Sequence, residues 1–244
     1  MNLKQSKARK VVFIALVMFV LYIIAIGVAM ALGVDGVLWD ISRTYDALFA
    51  SSDEVDSLIL LETRLPRIAM AILVGALLAS SGAVTQSIFA NPIADPYIIG
   101  IASAATFGAV LAHFIGLDDI FYGVVGFVCC CGFSLVIFAL QRHANITTLL
   151  IIGIAISSLL GAISSLFMYI IGESSFKIVT WLMGYLGLSA WYKVQILCFV
   201  LIFCLSYFYA KRNGLNIILS GDEEARNLGI DAPKLKRNLL IVSS

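Results

Sequence analysis

The sequence predicts an all-α fold, a polytopic bundle of transmembrane helices. Four observations carry that prediction. Of 244 residues, 61% are hydrophobic and 13% charged, whereas soluble domains run near 25% charged. The mean hydropathy is +1.02. Apolar stretches of about twenty residues, enough to cross ~30 Å of hydrocarbon as a helix, recur along the chain. Lys and Arg fall mainly in alternate connecting segments, as expected of a multi-pass protein.

The first span is placed at 11–33, after Lys4, Lys7, Arg9 and Lys10. Those residues, with Ala29-Met30-Ala31, have the outline of a secretory signal. The apolar run is longer than the 7–15 residues of such a signal, so it is assigned as a membrane span. A polar outer segment, 34–63, follows with Asp35, Asp40, Asp46, Asp53, Glu54, Asp56 and Glu62. It is expected to be partly helical, with Trp39 and Tyr45 at the membrane interface. Further spans are expected at 67–88, 97–116, 120–140, 146–171 and 193–210, making six complete spans. A seventh starts near 238 and stops at Ser244, which reads as a C-terminal truncation. With the N-terminus inside, Lys4, Lys7, Arg9, Lys10, Arg142, Lys211, Arg212, Arg226, Lys234, Lys236 and Arg237 are cytoplasmic. Arg43, Arg64, Arg67, Lys177 and Lys193 lie outside, a positive-inside distribution.

Three spans carry small residues at a spacing of four. These are Ala71, Gly75, Ala79 and Ala83; Gly100, Ala104, Gly108 and Ala112; and Gly153, Ser157, Gly161 and Ser165. Residues i and i+4 share a helix face, and close backbone approach drives helix packing in lipid. All three helices are expected to be buried among others. Cys129, Cys130, Cys131, Cys198 and Cys204 lie within spans and form no C-x-x-C pair, so they read as packing residues.

The connecting segments are less regular. Segment 172–192 is an outer loop holding Glu173, Lys177, Trp181, Gly184, Gly187 and Trp191, with a short interfacial helix expected over 178–188. Segment 211–237 is the longest cytoplasmic loop. Ser220 followed by Glu223 has the capping-box pattern, and Gly229 suits a helix C-cap. Asp231 before Pro233 marks a second helix start.

No acidic or basic residue lies well inside a span, which weighs against an ion-coupled carrier. His113, near an outer helix end, reads as a satisfied or solvated interfacial histidine rather than a ligand. There is no G-x-x-x-x-G-K-[ST] loop, H-E-x-x-H, C-x-x-C or G-x-S-x-G motif. The chain is therefore not expected to be an enzyme, and no cofactor in this chain and no nucleic-acid partner is expected.

The densest motif run is Arg64-Leu65-Pro66-Arg67, then Gly75-Ala76-Leu77-Leu78-Ala79-Ser80-Ser81-Gly82, Gln86, and Asn91-Pro92-Ile93-Ala94-Asp95-Pro96 leading to Gly100. Trp181-Leu182-Met183-Gly184 follows, and then Leu215-Asn216 with Gly221, Ala225, Leu228 and Gly229. In order and spacing these blocks resemble the FecCD family of ABC-importer permeases over essentially the whole chain. The resemblance implies a single permease domain over 1–244, of the cobalamin-permease type and incomplete at its C-terminus. It implies ATP-driven import of an iron siderophore, haem or corrinoid across a bacterial or archaeal cytoplasmic membrane. The rival readings are an ion-coupled secondary carrier and a non-functional permease fragment.

The same resemblance implies roles for particular residues. Arg64 and Arg67 would dock carboxylates of a periplasmic or lipid-anchored substrate-binding protein, although read alone they equally suit anchoring a helix end at the headgroups or offsetting the acidic outer segment. The 211–237 loop would be the coupling loop to two cytoplasmic ATPase subunits, through Leu215, Asn216, Gly221, Asp222, Glu223, Glu224, Ala225, Leu228 and Gly229. Asn145, Ile146 and Thr147 would stand at a cytoplasmic gate, although Asn145 reads equally as a helix N-cap. Asn91, Pro92, Asp95 and Pro96 would form a structural turn. A second permease subunit, identical or homologous, would complete the path. The sequence departs from the family at Ala90, where a basic residue is usual, and has three or four spans fewer.

Overall fold

The fold is taken from a computed structural model that describes residues 3–31, 54–92, 100–141, 146–187 and 189–243. Trp39, Tyr45, Asp95, Pro96 and Asn145 lie outside the described residues. The helices in chain order are α1 (Leu3–Ala31), α2 (Glu54–Ile59), α3 (Leu65–Phe89), α4 (Ile101–Phe114), α5 (Ile120–Gln141), α6 (Ile146–Ile171), α7 (Ser175–Leu182), α8 (Trp191–Ser220), α9 (Asp222–Asn227) and α10 (Ala232–Ser243). A π turn, Leu60–Arg64, joins α2 to α3, and a 3₁₀ turn, Gly172–Ser174, joins α6 to α7. The expected spans all appear as helices. Four helical stretches, 12–29, 57–89, 151–182 and 191–220, are long and apolar enough to cross a bilayer. Helix α4 is shorter, at 14 residues.

The chain divides into two compact units, Met1–Leu73 with Leu186–Leu197, and Val74–Tyr185 with Cys198–Ser244. In the first unit the helix bearing Arg64 and Arg67 begins at Glu54, ten residues before Arg64. The arginines are therefore inside a continuous helical stretch and not at its mouth. The cause of the π turn is Pro66. Proline lacks an N–H and its ring collides with the carbonyl four residues back. The helix accommodates it by widening one turn, so that Leu65 N–H bonds Leu60 O, five residues back.

In the second unit, α4 is the centre, packed on α5 and α6. Gly108 meets α5 at backbone distance: a Cβ there would lie 2.7 Å from Val125 O and 2.8 Å from Gly126 Cα. Gly126 reciprocates, with a virtual Cβ 2.9 Å from Ala105 O. Gly100 starts α4 with φ of +93°, and its virtual Cβ would strike Ser157 Oγ and Phe133. Only glycine satisfies both the left-handed backbone and the space. Phe167 of α6 stacks on Phe114 with ring centroids 4.5 Å apart. Two apolar clusters mark the unit's ends. Val84, Ile88, Ile101, Cys130, Phe208, Leu239 and Leu240 gather at one; Ala109, Val110, Ala112, Tyr122 and Ile178 gather at the other.

The small-residue ladders divide. Gly100, Ala104, Gly108 and Ala112 are buried, as expected, and Gly153 is buried with Ser157 half-buried. Ala71, Gly75, Ala79 and Ala83, with Gly161 and Ser165, are exposed among the described residues. Helix α3 instead buries the row Val84, Thr85 and Ile88, because bulkier side chains on that face fill the α4–α10 cluster. The spacing of four was thus a packing signal in α4 and only partly in the others.

Candidate functional site

The first candidate surface is the Arg64–Arg67 segment. Arg64 closes the π turn and is only 8% exposed. Arg67 follows Pro66 and is half-buried, its Nε enclosed without a hydrogen-bond partner among the described residues. Buried guanidinium groups demand compensation, so this is an electrostatically demanding segment. Its carbonyl at Leu61 accepts a hydrogen bond of 3.0 Å from Trp191 Nε1, at the start of α8. Sequence reasoning missed Trp191; the available signal was a proline within a helix that leaves a carbonyl needing a donor.

The second surface is the α9–α10 turn. Helix α8 continues through residues 211–220, so Leu215 and Asn216 sit in its last turns, not in a loop. Leu215 packs on the Val84–Leu240 cluster and Ile218 is buried, which holds this end helical. Gly214 permits it, since Leu235 of α10 lies where a Cβ would be. The expected Ser220–Glu223 capping box does not form. Ser220 is still in α8, and Gly221, with φ of 124°, precedes α9 with no side-chain cap. The other two signals hold. Gly229, at φ of +78°, closes α9 with Gly229 N–H on Arg226 O and Ile230 N–H on Ala225 O, a Schellman pattern. Asp231 Oδ1 accepts from Lys234 N–H at 3.0 Å and caps α10. A groove of about 600 Å³ runs between them, lined by Glu223, Arg226, Ile230, Asp231 and Pro233 among others. Glu223, Glu224 and Leu228 are exposed around it, while Ala225 is fully buried beneath.

Asn91 and Pro92 lie just past α3, which ends in the same way. Ala90 has φ of +48°, and Asn91 N–H reaches Gln86 O at 3.2 Å. A non-glycine residue in this left-handed position carries about 1 kcal/mol of strain. Ile146 and Thr147 form the first turn of α6.

A third cluster, at the opposite end of the second unit, ties α4, α5 and α7. His113 Nε2 donates to Ser174 O at 3.1 Å, which leaves Nδ1 to accept from the Tyr122 hydroxyl at 2.5 Å. The histidine is thus satisfied, as its position suggested. Lys177 Nζ lies 2.7 Å from Asp119 Oδ1, and that ammonium holds the Asp119 carboxyl below its usual value. The pair contributes above the ordinary carboxyl range and its contribution is lost as pH falls through the lowered value. Being largely exposed, it is worth less than about 1 kcal/mol. The interfacial helix anticipated at 178–188 appears as α7, Ser175–Leu182, which starts three residues earlier and stops before Gly184, whose φ of +81° ends it. Trp191 belongs to α8.

Fold and surfaces together define a multi-pass α-helical membrane protein with distinct surfaces at Arg64–Arg67 and at the α9–α10 turn. The chain belongs to the FecCD transport family, whose profile matches residues 9–244. It is 37% identical over 187 residues to the cobalamin import system permease protein of Halobacterium salinarum, covering 74% of this chain and 50% of that one. It is 33% identical over 216 residues to the hemin transport system permease protein of Yersinia pestis, covering 85% and 62%. Among solved structures it resembles a metal-chelate type ABC transporter in an inward-facing conformation, with TM-score 0.79, 29% identity, and coverage of 94% and 72%. The chain spans between half and about six-tenths of the length of the curated relatives it matches.

Proposed function

We propose that the chain is a transmembrane permease subunit of an ATP-driven ABC importer for iron-siderophore, haem or corrinoid uptake. It would move substrate inward from a periplasmic or extracellular binding protein. The observation that carries this reading is the match to the FecCD family over residues 9–244. In this reading the chain sits in a bacterial or archaeal cytoplasmic membrane, pairs with a second permease subunit, and holds no cofactor of its own. Two separate ATPase subunits supply the hydrolysis.

Each surface then has a partner. Arg67, half-buried with its Nε enclosed, would present the remaining nitrogens of its guanidinium to a binding-protein carboxylate. Arg64, three residues away on the same face, adds its charge from a buried position. The α9–α10 turn seats in the ATPase, its two capped helices rigid enough to transmit a change of state. Binding protein and ATPase drive alternation only by favouring different conformations, which is all the coupling requires. The double substitution Glu223→Lys with Glu224→Lys should abolish co-purification of the ATPase subunits while leaving the chain's thermal unfolding unchanged, since both residues are exposed. Undiminished co-purification would remove α9 from the ATPase contact.

A further inference from the structure

Pro66 leaves a carbonyl without a helical donor. Leu65 N–H is committed to Leu60 O. In that register the next donor, residue 66, would serve Leu61 O, and proline has none. Leu61 O therefore lacks both its i+4 and its i+5 partner. The donor comes instead from a distant part of the sequence, as Trp191 Nε1–H at 3.0 Å. An indole nitrogen can only donate, and both residues belong to the same compact unit. The bonded turn ends at Arg64, and Arg67 directly follows the proline.

We propose that Trp191 is the positioning residue of the Arg64–Arg67 segment, its indole N–H replacing the N–H that Pro66 cannot supply. A π turn holds one extra residue. Returning that residue to α register rotates everything before it by about 100° around the axis, because an α-helix has 3.6 residues per turn. Such a slip turns the helix before Leu60 relative to Arg64 and Arg67, which close and follow the turn on αR backbone. The Trp191 bond holds the turn against that slip and so sets the direction in which the two guanidinium groups are presented. The inference rests on the docking role proposed above for those arginines.

Hydrogen exchange of the full chain in lipid nanodiscs tests the bond without any partner. Trp191→Phe keeps the ring and removes the donor. It should speed exchange of the amides over 60–65 about fivefold, the effect of one ordinary hydrogen bond, while peptides from α4 and α5 stay unchanged. Pro66→Ala restores a backbone N–H, so in that background Trp191→Phe should alter exchange less than twofold. An equal effect in both backgrounds, or none in either, would overturn the proposal. Reaction of an Arg67→Cys thiol with a membrane-impermeant maleimide, in a chain with its other cysteines replaced by serine, should follow the same pattern. A rate indifferent to Trp191→Phe would overturn the link to arginine placement. If exchange and labelling behave as expected while Arg67→Glu leaves binding-protein affinity intact, the docking reading fails and the positioning stands.

Discussion

Gly108→Leu prevents the α4–α5 pair from closing and leaves the chain aggregated or with a strongly lowered unfolding temperature in detergent. A Cβ alone at Gly108 comes within 2.9 Å of Val125 O, Gly126 Cα and Cys129 Cβ. Two of those atoms are backbone and cannot rotate away. Overpacking costs about 1–3 kcal/mol where side chains can yield, and here the helices themselves must separate. Lost with them is the close approach that stabilises helix pairs in lipid. A total stability of 5–15 kcal/mol leaves little room for such a loss. Gly123, on the same α5, has nothing within 4 Å of a virtual Cβ. Gly123→Leu should therefore unfold at nearly the wild-type temperature, and similar damage from both substitutions would contradict the packing account.

On the docking role proposed for these residues, Arg64→Glu combined with Arg67→Glu should remove binding of the substrate-binding protein. Breaking one partner of a hydrogen-bonded charge pair costs 2–5 kcal/mol, which is at least about 30-fold in affinity, and reversal adds repulsion. The measurement is titration of nanodisc-held chain with the substrate-binding protein. Because Arg64 is buried, Arg67→Glu alone is the cleaner variant, and it should retain the wild-type unfolding temperature while losing most of the affinity. Wild-type affinity for Arg67→Glu would place docking elsewhere on the chain.

Much of the fold was legible because lipid simplifies the code. The six apolar runs all became helices, as hydrocarbon permits no other local solution for a single segment. Gly229 and Asp231 were readable as caps because left-handed φ and a side-chain acceptor have strong residue preferences. The failures share a cause. Lys211, Arg212 and Gly214 look like the start of a loop, yet Leu215 and Ile218 pack against other helices and keep α8 intact to Ser220. The exposed ladder from Ala71 to Ala83 carries the spacing of a packed face, but spacing does not say which neighbour is present. Trp191 escaped notice because its partner is a carbonyl 130 residues away in sequence. The site was less legible than the fold. Arg64 and Arg67 were singled out by family resemblance, and the burial of Arg64 is a tertiary fact.

The central claim is that this chain passes a signal from a binding protein to separate ATPases. ATP hydrolysis by the reconstituted assembly in proteoliposomes, with and without the substrate-binding protein, measures this directly. The account predicts hydrolysis that rises when binding protein is added and falls back to the unstimulated rate with Arg67→Glu. An ATPase rate unaffected by the presence of the 244-residue chain, or by the binding protein, would contradict it.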